Sequence, residues 1–244
     1  MSEQALNKKL FIKDLGLINY RVSWDYQLEI FDRTVATKIE NRSGVNITPT
    51  QNYLLFCEHP AVYTIGKSGD KNNILVNKEF LEDRKIELLE TSRGGDITFH
   101  GPGQVVCYPI LDLDNFFTDI HKYMRYLEEA VIRTCAEFGL NAGRVQGFTG
   151  VWIDFDNIEK ARKICAMGVK TSRWVTMHGL ALNVNTDLSY FNYIVPCGIK
   201  DKEVTSLSKE LDKEVDSKIV TQKLTKHLCD LFEFELQVGW PELI

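Results

Sequence analysis

The stretch "RGGDITFHGPGQ", residues 93–104, holds four glycines, a proline, an arginine and a histidine within twelve positions. Neither a helix nor the interior of a regular strand tolerates that density of Gly and Pro. It reads as a shaped connection between elements. Glycine lets a backbone approach a ligand closely and aim several N–H groups at it. Arg93, ahead of the Gly94–Gly95 pair, suits a carboxylate, a phosphate or another polar terminus. The stretch fits neither the GxxxxGK[ST] phosphate loop nor GxGxxG. A tight connection between strands is the plainer alternative, although such a turn does not need Arg, Thr and His among its glycines.

Apolar runs flank the stretch on both sides. Upstream, "NYLLFCE" (52–58) suits a buried strand, "VYTIG" (62–66) reads as a second, and "IELLET" (86–91) leads into the stretch. Downstream, "QVVCYPILDL" (104–113) is another. The clearest helix covers 115–138, where Ile120, Tyr123, Met124, Leu127, Val131, Cys135 and Phe138 form one stripe and Asp114 or Asn115 is the expected cap. Residues 19–38 carry Tyr20, Trp24, Leu28, Phe31 and Val35 at helical spacing. A last amphipathic helix covers 216–232, with Ile219, Leu224, Leu228 and Phe232 inward. "FTGVWIDF" (148–155) and "RKICAMGVK" (162–170) read as strands joined by a polar turn, and "HGLALNV" (178–184) as a further strand. Many strands with a few interspersed helices predict an α+β (mixed α/β) fold around a sheet.

The chain has 244 residues, 44% of them hydrophobic and 26% charged, enough for one domain with a full core. A net charge of −5 argues against a general nucleic-acid-binding role. No apolar run approaches the roughly 20 residues a membrane span needs. The first residues, "MSEQALNKKLFIKDLG", lack both the apolar core of a signal peptide and the Arg-rich, acid-poor character of a transit peptide. Six cysteines without CxxC or C/H zinc spacing suggest neither a disulfide framework nor a metal site. A reduced, cytoplasmic protein is expected.

Cys57 and Cys107 stand in strand runs and Cys135 and Cys229 in helices, where a small buried hydrophobe is the expected role; Cys165 alternates within a strand. Cys197 differs, because Pro196 fixes its approach and Gly198 frees its exit, an arrangement that can present a thiol in a loop. A buried core cysteine is the alternative reading there. Lys163 begins the run "KICAMG", whose alternation sets Lys163, Cys165 and Met167 on one face. Were that face inward, the ammonium would be desolvated and suited to proton transfer; otherwise Lys163 is the strand's exposed start. His100 closes the glycine-rich stretch and His178 opens "HGLALN", with ligand-binding and structural roles both open. His59 is expected in a turn, and His121 and His227 on helix surfaces.

Together these pieces resemble the lipoyl(octanoyl) transferases, the octanoyltransferases of lipoate biosynthesis. That family's signature is R-G-G, two variable residues, T-aromatic-H, then P-G-Q and a nearby aromatic, and "RGGDITFHGPGQVVCY" (93–108) satisfies it. "EHPAVYTIG" (58–66), "GVW" (150–152), "KICAMG" (163–168), "HGLALNV" (178–184) and "PCG" (196–198) complete the ordered set.

The resemblance implies a biotin/lipoate protein ligase-like catalytic domain, a mixed β-sheet flanked by helices, with one domain over 1–244 and its catalytic core over 48–238. It implies octanoyl transfer from octanoyl-acyl carrier protein to one lysine of a lipoyl domain, as found in the E2 subunits of 2-oxoacid dehydrogenases and the glycine cleavage H protein. Nucleic acid, membrane, metal and cofactor have no part in it. Cys197 is the implied nucleophile and Lys163 the lysine that activates it. The implied acyl site comprises Arg93, Gly94, Gly95, Asp96, Ile97, Thr98, Phe99 and His100, with Ala166, Met167 and Gly168, and His178, Gly179, Leu180 and Ala181. Arg162, Lys163, Lys170, Arg173 and Lys67 are candidates for a basic patch facing the acidic carrier. An ATP-dependent lipoate or biotin ligase on the same fold is the competing reading; it forms an acyl-adenylate and needs no cysteine.

Overall fold

Strands with a near-continuous apolar run must be covered on both faces, and those at 52–58 and 104–110, buried along almost their whole length, are central strands of one large sheet. The computed structural model of the chain describes residues 6–44, 47–195 and 203–241. Numbered in chain order, the sheet runs β12 (Glu235–Leu236), β1 (Lys9–Leu17), β2 (Asn52–Glu58), β6 (Gln104–Ile110), β10 (Val175–Asn183), β9 (Arg162–Ser172), β8 (Val151–Ile153), β7 (Ala142–Gly143). β11 (Glu203–Val204) lies parallel to the start of β9. β1 is parallel to β2, joined to it through helix α1 (Tyr20–Asn41), while β2, β6, β10, β9 and β8 pair antiparallel. The sheet is therefore mixed, as expected.

Side-chain alternation divides the core. Leu54, Phe56, Val105, Cys107, Leu180 and Leu182 meet helices α3 (Ile120–Glu137) and α5 (Ser217–Phe232) on one face. Tyr53, Leu55, Cys57, Val106, Tyr108 and Ala181 meet α1 on the other. A second sheet, β4 (Glu87–Glu90), β3 (Val62–Ile65) and β5 (Ile97–His100), has its own core of Tyr63, Ile65, Ile97 and Phe99 against Phe191, Ile194 and Leu81 of α2 (Lys78–Asp83). A short helix α4 (Leu207–Leu211) precedes α5.

Several local expectations change. The cap of α3 is Asp119, whose carboxylate accepts from the His121 and Lys122 N–H groups; residues 113–115 form a separate 3₁₀ turn capped by Asp112. On α5, Val220 faces the core and Ile219 is exposed. The inward face of α1 includes Ser23, Gln27 and Thr34, while Trp24, Leu28 and Val35 lie at its margin. β1 escapes the sequence reading because Lys13 and Asp14 interrupt its apolar alternation. β9 and β10 form a tight hairpin through Arg173 and Trp174, both at left-handed φ (48° and 64°) without the Asn or Gly that usually marks such a turn.

Gly179 of β10 fits against β6 only because it lacks a side chain: a Cβ there would fall on the Cys107 carbonyl oxygen and stand 2.6 Å from Pro109 Cδ. Backbone and ring cannot swing aside. Gly179→Ala is expected to lower the unfolding free energy by about 1–3 kcal/mol, read from the denaturant midpoint. A midpoint equal to that of the parent protein would mean the two strands stand further apart than described.

Candidate active site

The glycine-rich connection between β4 and β5 joins the two sheets. Its backbone meets the 66–68 turn through Gly66 N–H to Asp96 O, Lys67 N–H to Arg93 O and Ser68 N–H to Gly95 O. Its other side reaches the main sheet, where Gly94 N–H donates to Val169 O of β9 (2.9 Å). A Cβ at Gly168 would stand 2.6 Å from Gly94 O, and one at Gly66 would fall on Gly95 O. These glycines permit backbone to lie on backbone. Arg93 is buried and turned inward: Nε and Nη2 donate to Thr64 Oγ1, Nη2 to Thr64 O (2.6 Å) and Nη1 to Gly94 O. The expected anion-holding guanidinium is thus engaged in fixing its own loop.

A cavity of about 580 Å³ opens beside this loop, within the usual size range of small-molecule sites. Its walls are mostly apolar. Arg93, Gly94, Gly95, Asp96, Ile97, Thr98 and His100 line it, as do Lys163, Ala166, Met167, Gly168, His178, Gly179, Leu180 and Ala181. Phe99 does not. It points the other way, stacked on Tyr190 and packed edge-on against Phe191, because strand alternation sends its side chain into the small sheet's core. Asp96 spends its carboxylate on turn 70–73, accepting from Asp70 N–H and Asn73 Nδ2. Sequence reasoning missed Tyr20, Val106, Tyr108, Met124, Phe148 and Val169 as lining residues. Each stands in an apolar pattern that signals burial and says nothing about a cavity.

Lys163 is half-buried on the cavity wall, its Nζ 4.6 Å from the centroid of the buried Trp152 ring. The ring face attracts the ammonium. Gly150, at φ 107°, leaves room beside it, and the Gly150 N–H donates to the buried Glu128 carboxylate. The expected alternation fails here: a register shift between Val151 and Trp152 puts both Ile164 and Cys165 into the α3–α5 core. Cys197 lies outside the described residues. Among those described, Cys57, Cys107, Cys135 and Cys165 are buried and Cys229 half-buried, and burial raises every one of these thiols, Cys135 to about 12 and Cys229 to about 11. Of the residues considered for a basic patch, Arg162 is committed to Glu210 and Asp154, and Lys170 lies over the Phe31 ring. Lys67 and Arg173 are exposed.

Three histidines form the polar side of the cavity and its support. His59, expected in a turn, is buried, donating from Nδ1 to Ile18 O and accepting at Nε2 from the Tyr108 hydroxyl, both at 2.7 Å. His100 Nδ1 donates to Gln104 Oε1 (2.8 Å), and its ring stacks on Tyr20. His178 sits at left-handed φ 59°, with Nε2 3.1 Å from Ser92 Oγ; its Nδ1 finds no partner among the described residues. Burial lowers all three pKa values, His59 to about 4 and His100 and His178 to about 3. They are neutral at pH 7. His227, expected at a surface, is buried against Glu137.

The model for the lipoyl protein ligase A/B catalytic domain matches residues 19–229. The octanoyltransferase of Cytophaga hutchinsonii is 56% identical over 95% of this chain and 96% of its own. That of Flavobacterium johnsoniae is 58% identical over 95% of this chain and 100% of its own. Among solved structures, the bipartite lipoate protein ligase of Thermoplasma acidophilum shares a TM-score of 0.71 at 19% identity, over 98% of this chain and 89% of that one. Lipoate-protein ligase A bound with ATP shares 0.71 at 18% identity, over 97% and 90%. The lipoate-ligase fold expected from the sequence is thereby borne out. Among the described residues, no helix is long and apolar enough to cross a membrane.

The buried histidines carry a pH signature. Their folded pKa values lie below the unfolded value of 6.5, so the unfolded chain binds more protons between those limits. Their contribution is complete above pH 6.5 and is lost as pH falls toward the folded values. The histidine contribution is expected to be flat above neutrality, and stability to fall as pH drops from 6.5 to 5, with a slope approaching about 1.4 kcal/mol per pH unit for each histidine. Denaturant titrations across that window check it; a flat profile would mean that these rings take up protons in the fold.

Proposed function

The chain belongs to the lipoyl protein ligase A/B catalytic domain family, and from that premise we propose that it is an octanoyltransferase. It moves an octanoyl group from acyl carrier protein to one lysine of a lipoyl domain through a thioester on Cys197. The observation that carries this reading is Lys163 on the wall of a mostly apolar cavity that the glycine-rich loop and the β9–β10 pair also line. The relatives named octanoyltransferase, at 56–58% identity, point the same way. Acceptors are the lipoyl domains of 2-oxoacid dehydrogenase E2 subunits and the glycine cleavage H protein.

The apolar walls remove the acyl chain from water, worth about 0.8 kcal/mol per methylene. Lys163, as the free amine, takes the Cys197 proton; the thiolate attacks the thioester carbonyl, and the carrier thiol leaves with a proton. One thioester replaces another, so the step needs no ATP. The acceptor lysine then attacks the acyl-enzyme, an amide forms, the Cys197 thiolate leaves, and Lys163 manages the proton the amine gives up. The raised pKa values of the five described cysteines make them poor nucleophiles, which supports a role for the sixth. His100 and His178, neutral at pH 7, serve as hydrogen-bonding wall groups in this scheme.

Intact mass measurement after mixing the protein with octanoyl-acyl carrier protein, without ATP or acceptor, tests the reading. An octanoyl adduct is expected, labile to hydroxylamine and absent from Cys197→Ala. Lys163→Met is expected to slow adduct formation by about 10²–10⁴-fold. No adduct, with acceptor labelling only when octanoate and ATP are supplied, would move the protein to the ATP-dependent ligases.

A further inference from the structure

Thr205 is fully buried directly after β11, and each of its polar groups is tied to a different element. Its N–H donates to Lys163 O on β9 (2.9 Å). Its carbonyl accepts from Asn183 Nδ2 on β10 (2.9 Å). Its hydroxyl donates to Glu210 Oε1 on α4. Glu210 in turn grips Arg162, the neighbour of Lys163, with two parallel bonds: Nε to Oε1 at 2.9 Å and Nη2 to Oε2 at 2.8 Å. Arg162 also reaches Asp154.

From Asn183 the chain of bonds continues inward. Asn183 Oδ1 accepts from Gln104 Nε2 (2.9 Å), and Gln104 Oε1 accepts from His100 Nδ1. That tautomer leaves His100 Nε2 facing Thr64 Oγ1 at 3.4 Å, and Thr64 receives Arg93. All of these side chains are buried. Thr205 therefore ends a continuous buried network that runs from the loop arginine across the cavity's polar side to the backbone of Lys163. A network with every member engaged rigidifies the groups it joins.

We propose that Thr205 is a positioning residue of the transfer reaction: it holds the Lys163 backbone in register with the acyl cavity and with the chain that returns from the Cys197 segment. The proposal rests on the reading of Lys163 as the activating lysine. Thr205 touches no substrate in this scheme. It acts through Lys163, and a displacement of about 1 Å at a reacting group is enough to cost on the order of 10²-fold in rate.

The test compares Thr205→Val, which removes only the hydroxyl bond, with Thr205→Ser, which keeps it. If Thr205→Val fails to fold, Glu210→Ala removes the same bond from its other end together with both bonds to Arg162. Arg162→Ala, which removes that pair and leaves the Thr205 bond, is measured beside it, so that the loss beyond that of Arg162→Ala reports the Thr205 bond. The readout is octanoyl-enzyme formation, with its rate at saturating octanoyl-acyl carrier protein separated from the half-saturating donor concentration. Thr205→Val and Glu210→Ala are expected to slow the saturated rate by about ten- to a hundredfold, with half-saturation nearly unchanged and Thr205→Ser recovering most of the rate. Rates equal to the parent protein, equal losses in Val and Ser, or a change confined to half-saturation would overturn the proposal. If the parent protein forms no octanoyl-enzyme and transfers octanoate only with ATP, the transferase reading fails. The same comparison is then made on the ATP-dependent rate, with the same outcomes deciding the role of Thr205.

Discussion

The hydrogen bond from Gly94 N–H to Val169 O holds the two sheets of this protein in one frame. The close approach needs backbone to lie directly on backbone there, since a Cβ at Gly168 would stand 2.6 Å from Gly94 O. Arg93 locks the same loop from inside by donating to Thr64 of the small sheet and to its own neighbour's carbonyl. The cavity is the space that remains where the two sheets meet under this restraint. Its walls are therefore set by packed backbone and rigid strands, the kind of support that keeps a site within a fraction of an ångström of its working geometry.

That frame changes what the motif residues mean. Residues expected to contact a ligand divide into those whose side chains reach the cavity and those that hold it open. Phe99 is a core residue of the small sheet, Asp96 shapes the adjoining turn, and Arg93 ties loop to strand. Gly168 and Gly179 line the space, yet each is glycine because another backbone presses on it. A short motif thus combines contact and support, and the fold decides which residue does which.

What could be read beforehand follows the same logic. The central strands β2 and β6, the helix α3 and the cavity-facing segments of β9 and β10 were legible because burial on one or both faces leaves a periodic apolar pattern. β1 was not, since Lys13 and Asp14 interrupt its pattern. The β9–β10 hairpin was not, since Arg173 and Trp174 adopt left-handed conformations without a turn signature. The face of Lys163 was misjudged because a bulge shifts register between it and Cys165, which no residue type announces. The polar network through Thr205, Asn183, Gln104 and His100 was invisible for a further reason: its members lie far apart along the chain and meet only through the sheet.

The apolar cavity and its polar support solve opposite problems. An acyl chain contributes no hydrogen bonds, so it needs dry, close-fitting walls, whereas the carbonyl at its end needs groups whose positions do not drift as charge moves. Burying three neutral histidines beside the cavity supplies hydrogen-bonding atoms without a cation that would repel the Lys163 ammonium. The nearby positive charges are held by counter-charges or carbonyls: Arg162 by Glu210 and Asp154, Arg93 by Thr64 and Gly94. Lys163 lies half-buried on the cavity wall with its Nζ over the Trp152 ring, whose face attracts the ammonium. In the proposed transfer, that position on the wall places a side chain of the kind that passes protons at the edge of the space where the acyl chain is held, so one cavity serves both needs.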